Sequence, residues 1–101
     1  MAVNNISQAQ AKEMMNDDVI VLDVREDYEY ASGHIDKAIN LPLGRVEYGI
    51  DEVTLDKEKT LLVYCHSGAR SASATSLLNA LGYKNAYNFG GIATWGYGIA
   101  K

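Results

Sequence analysis

Two stretches of the chain are apolar with almost no alternation, 19-VIVLDV-24 and 61-LLVY-64. Both are rich in β-branched or bulky apolar residues, the pattern of strands covered on both faces. Other stretches follow a helical period. From Arg70 to Leu81, Ala74, Leu77, Leu78 and Leu81 recur at i, i+3, i+4, i+7, and Gly82 supplies a C-terminal stop. At the other end of the chain, Ser7 is placed to cap a helix, Gln10 to reach back to it, and Ile6 to staple onto Ala11. That helix carries Ala11, Met14 and Met15 on one face and fades at 16-NDD-18.

The intervening segments are shorter. A helical turn is expected over 26–31, ending at Ser32-Gly33, and a short strand over 38–42, closed by Pro42. Residues 43–55 read as partly helical. A last short strand is expected over 85–89, after which 90-GGIATW-95 turns into a short terminal helix. Buried strands alternating with helices predict an α/β domain with a mostly parallel sheet. In such sheets, sites form at the carboxyl ends of the strands. No internal repeat, low-complexity stretch or linker interrupts the pattern, so residues 1–101 are read as one domain.

Composition narrows the function classes. Of the 101 residues, 48% are hydrophobic and 22% charged, enough for a core without metal or disulfide staples. The net charge of −4 argues against nucleic-acid binding and provides no long-range attraction for an anionic substrate, so any anion site must be built locally. The single cysteine excludes an internal disulfide and any multi-cysteine metal site. No apolar run approaches the roughly 20 residues that span a bilayer. The N-terminal segment does not read as a signal peptide. The expectation is a cytoplasmic protein with no membrane partner, metal or organic cofactor.

The one cysteine, Cys65, falls where a buried strand ends and a helix begins, in 65-CHSGAR-70. A lone cysteine is by default a small buried hydrophobe. Its neighbours change that reading. A loop from a strand end into a helix start can turn several N–H groups toward one point, and Gly68 permits the backbone conformation needed. The helix dipole favours an anion there and lowers the thiol pKa. Arg70 adds a cation at the rim suited to two-point contact with an oxyanion. The arrangement suits a cysteine nucleophile attacking an anionic substrate.

Three motifs resemble the rhodanese family of sulfurtransferases. They are the loop YCHSGARS, the stretch 22-LDVREDYEYASGHIDKAINLPL-43 and the ending 89-FGGIATW-95, in the family's order. The resemblance implies a five-stranded parallel sheet with helices on both faces. It also implies Cys65 as nucleophile, with His66, Ser67, Gly68, Ala69 and Arg70 forming the substrate cradle. The reaction implied is double displacement. Cys65 takes the outer sulfur of a small anionic donor such as thiosulfate, then yields it to cyanide, a small thiol or a protein thiol partner. The family shares its fold with cysteine phosphatases, whose loop is one residue longer. The four residues between Cys65 and Arg70 match the sulfurtransferase form. A persulfide carrier, a non-catalytic interaction module and, behind them, a phosphatase or arsenate reductase are the alternatives.

Asp23 and Arg25, at the end of the first buried strand, are expected to brace neighbouring loops through ion pairs, and Ser71 to cap the loop. His66 stands where many family members carry arginine. A neutral imidazole there attracts anions less at pH 7 and more when protonated. His34 reads as a structural histidine, Trp95 as core or cleft wall, and Tyr64 as the tyrosine nearest the site. The other six tyrosines read as half-buried packing.

Overall fold

The Ser7 signal opens the first helix in the computed structural model, which describes residues 4–101. The Ser7 hydroxyl accepts the Gln10 N–H at 3.0 Å, and the Gln10 side chain accepts the Ser7 N–H at 2.9 Å. Helix α1 runs Gln8–Met14, followed by β1 (Val19–Asp23), α2 (Asp27–Ser32) and β2 (Ile39–Asn40). A 3₁₀ turn at Leu43–Arg45 leads into α3 (Val46–Val53), then β3 (Thr60–Cys65), α4 (Ala69–Ala80) and β4 (Ala86–Gly91). The expected terminal helix is a single 3₁₀ turn, Ile92–Thr94, because β4 extends through both glycines to Gly91.

All pairings in the sheet are parallel, in the order β2-β1-β3-β4. The expected fifth strand is absent among the described residues. In its place, Asn5 makes one parallel bridge to Asn88 on the free edge of β4, with the Ile6 N–H donating to the Asn88 carbonyl at 3.0 Å. The capping box at Ser7 starts α1 directly after Ile6 and ends that pairing on its C-terminal side.

The two unalternating strands are covered on both faces. Leu22, Val24, Leu61, Val63 and Cys65 point to one side, where they pack with Val46 and Ile50 of α3 and Ala74 and Leu78 of α4. Val21, Leu62 and Tyr64 point to the other, against Ala11 of α1, Ile35 and Phe89. Leu61, Leu62 and Val63 are fully buried. Each contributes roughly 1.5–3 kcal/mol through removal from water. The carboxyl end of β3 therefore presents Cys65 where a site forms in such sheets, while Asp23, at the end of β1, is in register with Tyr64.

The tyrosines depart from the sequence reading. Tyr28 and Tyr48 are 75% and 76% exposed, whereas Tyr83 is buried and donates its hydroxyl to the Thr54 carbonyl at 2.8 Å. A tyrosine's burial is set by which face of a short helix meets the sheet, and α2 and α3 are too short for periodicity to fix that face.

Among the described residues, the Thr75 hydroxyl is buried without a hydrogen-bond partner. Its desolvation is uncompensated. Thr75→Val keeps the branched shape and is expected to stabilise the fold by about 1 kcal/mol, measured by urea unfolding. A destabilised variant would indicate an ordered water on Thr75.

Candidate active site

β3 departs from regular pairing just before its last residue. The register with β4 shifts between Val63 and Cys65, and Cys65 pairs with Gly91. The chain then folds back across β4. The His66 carbonyl accepts the Ala93 N–H at 3.1 Å. Gly68, with φ of 109°, forms the N-cap of α4. Few side chains adopt that left-handed region, and it turns the Gly68 N–H onto the Cys65 sulfur at 3.0 Å. The strand partner is equally constrained. A Cβ on Gly91 would overlap the His66 carbonyl and stand 2.6 Å from the Ser67 Cα. The cradle closes only because this position has no side chain.

Cys65 is 1% exposed, so its sulfur sits at the floor of the cradle. Burial pushes the thiol pKa up. Hydrogen bonds from the Ser71 hydroxyl and from the N–H groups of Ser71, Gly68 and Ser67 outweigh burial and hold the pKa below the ordinary thiol value. Two surface cavities, of about 390 and 320 Å³, are lined by other residues. The cysteine cradle is part of neither.

Ser71 is buried at the first turn of α4 and does more than cap the loop. Its single hydroxyl proton faces four acceptors: Asn88 Oδ1 at 2.7 Å, the Gly68 carbonyl at 3.1 Å, the Gly90 carbonyl at 3.2 Å and Cys65 Sγ at 3.5 Å. The shortest contact is to Asn88, and the same proton is within reach of the Cys65 sulfur, the acceptor through which Ser71 lowers the thiol pKa. Asn88 also accepts the Gly90 N–H at 3.0 Å and donates to Asn5 at 3.0 Å. The sequence gives no sign of this residue, which reads as an ordinary polar position in a strand.

Arg70 does not present a free fork to the loop. Its two terminal nitrogens meet the two carboxylate oxygens of Glu29, on α2, at 2.7 and 3.0 Å. That bidentate pair holds the Glu29 carboxyl down at about 2, chiefly through the Arg70 hydrogen bond, and raises the Arg70 pKa. A folded pKa below the unfolded value of about 4.5 makes a stabilising contribution that is complete above that value and lost as pH falls toward about 2. Thermal unfolding of Glu29→Gln is accordingly expected to decline less steeply across this acid window than the wild type. Equal slopes would exclude Glu29 as a source of the decline.

Asp23 and Arg25 form a buried pair at 2.7 Å, and Arg25 also donates to the Gly33 carbonyl at 2.7 Å. Asn40 donates to the carbonyls of both residues, tying β2 to the end of β1. Tyr64 donates to Asp23 at 2.8 Å and accepts the Ile35 N–H at 3.0 Å. Its side chain thus lies on the face of the sheet opposite Cys65, which corrects its placement at the site. His34 stacks on Tyr30 with ring centroids 3.8 Å apart, and its Nδ1 lies 3.0 Å from the Tyr30 carbonyl. Trp95 packs beside Phe89 on the α1 side. Of the loop residues, His66, Ser67 and Ala69 are exposed, and Gly68 and Arg70 are partly buried.

A loop of this form after the third parallel strand has known counterparts. Residues 7–97 match the rhodanese-like domain family. The chain belongs to the rhodanese family. This rhodanese is 34% identical over 97 residues to the thiosulfate sulfurtransferase GlpE of Coxiella burnetii, covering 94% of this chain and 89% of that one. It is 38% identical over 71 residues to the thiosulfate sulfurtransferase PspE of Escherichia coli, covering 70% and 68%. A rhodanese-related protein from Thermoplasma volcanium superposes with a TM-score of 0.83 at 34% identity, covering 96% of this chain and 97% of that one. This rhodanese therefore stands among sulfurtransferases. No helix among its described residues is long and apolar enough to cross a membrane.

Proposed function

We propose that the protein is a sulfurtransferase in which Cys65 carries the transferred sulfur as a persulfide. The observation that carries this reading is the Cys65 sulfur at the floor of a cup, 3.0 Å from the Gly68 N–H and with its pKa held below the ordinary thiol value. The thiolate attacks the outer sulfur of a donor of the thiosulfate type. The Sγ–S bond forms, the donor's S–S bond breaks, and sulfite departs with the bonding pair. The N–H groups that favour the thiolate then face the charge of the persulfide. An acceptor, cyanide or a thiol, takes the sulfur and regenerates the thiolate.

With one cysteine in the chain, the persulfide has no internal thiol to resolve it, so the acceptor comes from outside and the kinetics are ping-pong. That requirement suits a reducing, cytoplasmic setting rich in thiols, and includes a protein thiol among the candidate acceptors. His66 to Arg70 form the wall of the cup, while Asp23, Arg25 and Ser71 hold it in place. The test is intact mass before and after thiosulfate or a persulfide donor. A gain of one sulfur atom, reversed by cyanide, is expected. No gain from either donor would overturn the reading and favour a binding module.

A further inference from the structure

The cup has no uncommitted arginine. All three arginines of the chain are held by acids: Arg25 by Asp23 at 2.7 Å, Arg45 by Asp27 at 2.9 Å, and Arg70 by Glu29 at 2.7 Å. Of the lysines, Lys12 lies over Tyr97, Lys37 beside Asp17 and Lys57 over Tyr83, contacts that lie away from the loop. Arg70 is the loop's own cation, and its charge is coupled to Cys65 as well as to Glu29 and Glu26. Both nitrogens that would grip an oxyanion are engaged by Glu29.

We propose that Glu29 is a specificity residue that biases the cup against dianionic thiosulfate and toward alkyl persulfides of low net charge. The inference rests on the persulfide reading of Cys65 and names its donor class. A dianion reaching Arg70 must displace a bidentate carboxylate and then lie beside it. The pair is one that can open, since the Arg70 and Glu29 side chains are 35% and 20% exposed, so the bias is a penalty and not a block. A persulfide avoids it. Its outer sulfur can meet the Gly68 N–H without calling on Arg70. The step balances as Cys65–S⁻ plus R–S–SH giving Cys65–S–SH plus R–S⁻. The Sγ–S bond forms as the donor's S–S bond breaks, the leaving thiolate keeps the electron pair, and no external oxidant or reductant enters.

Glu29→Gln keeps the shape of the side chain and the oxygen that accepts the Glu26 N–H at 3.0 Å, while removing the charge. Sulfur loading of Cys65 would be followed by intact mass for wild type and variant, with thiosulfate and with zwitterionic cysteamine persulfide. The variant is expected to gain about 10-fold in kcat/KM for thiosulfate, mainly through KM, and to change less than about 2-fold for the persulfide. A thiosulfate rate that is unchanged or lower, or equal changes with both donors, would overturn the inference while leaving the persulfide reading intact. Failure of both donors to load the wild type would overturn both. Should the variant not fold, the wild type provides a second reading. Screening of a repulsive site makes thiosulfate loading rise with added salt while persulfide loading stays flat. A fall with salt would overturn the inference.

Discussion

Cys65→Ser is expected to lose sulfur loading by about 10³-fold or more, to the level of the uncatalysed background, while retaining the fold. The loss has two independent causes. A serine hydroxyl ionises far above neutral pH, so the N–H groups that stabilise a thiolate have no comparable anion to hold. An oxygen in place of Sγ also cannot form the S–S bond in which the transferred sulfur is stored. The fold survives because serine is smaller, and its oxygen can still accept the Gly68 N–H that Cys65 accepts at 3.0 Å. The cost in stability is expected to be about 1 kcal/mol, from replacing a sulfur in the core cluster by a polar atom. Intact mass with thiosulfate or a persulfide reads the first effect, and thermal unfolding the second. A sulfur gain retained by the serine variant would place the acceptor atom elsewhere and remove Cys65 from the mechanism.

What could be read from the chain beforehand follows the range of the interactions involved. β1 and β3 announce themselves through unbroken apolar runs, and α4 through Ala74, Leu77, Leu78 and Leu81, because burial on a regular element imposes a local period. The cysteine loop is legible for the same reason. Its strand end, its glycine and its helix start lie within a few residues. The parts that escaped are joined across the chain. Glu29 is 41 residues from Arg70, and Asn88 is 17 from Ser71. In 26-EDYEYA-31, Glu29 reads as one of several acids on an exposed turn, and only the docking of α2 beside the start of α4 makes it the partner of the loop arginine. The sequence reads Arg70 as a two-point binder of a substrate oxyanion, yet the oxyanion it meets is the protein's own Glu29 carboxylate. The fifth strand failed for a related reason. Edge pairing at Asn5 runs directly into the helix cap at Ser7, and the partner of that bridge, Asn88, lies 83 residues along the chain.

Gly91→Ala is expected to destabilise the protein by about 2–4 kcal/mol and to slow sulfur loading by about 10²-fold. The three atoms nearest the added methyl are all loop backbone: the His66 carbonyl carbon and oxygen, and the Ser67 Cα at 2.6 Å. No side-chain rotation relieves such a clash, so either β4 or the loop must move. β4 is pinned by its pairing to β3 from Leu61 through Val63, which leaves the loop to yield. Its displacement stretches the bond from the Ala93 N–H to the His66 carbonyl and moves the Gly68 N–H off the sulfur. The thiolate then loses its nearest donor, and the cup its shape. Gly44→Ala is the matched control. A Cβ there meets nothing within 4 Å, and less than about 1 kcal/mol of change is expected. If Gly91→Ala loaded sulfur at the wild-type rate, the close approach of β4 to the loop would have no part in holding Cys65. The constraint explains why the last motif is needed near a cysteine 26 residues earlier in the chain: Gly91 is the strand partner of Cys65, and the two positions are one structural unit.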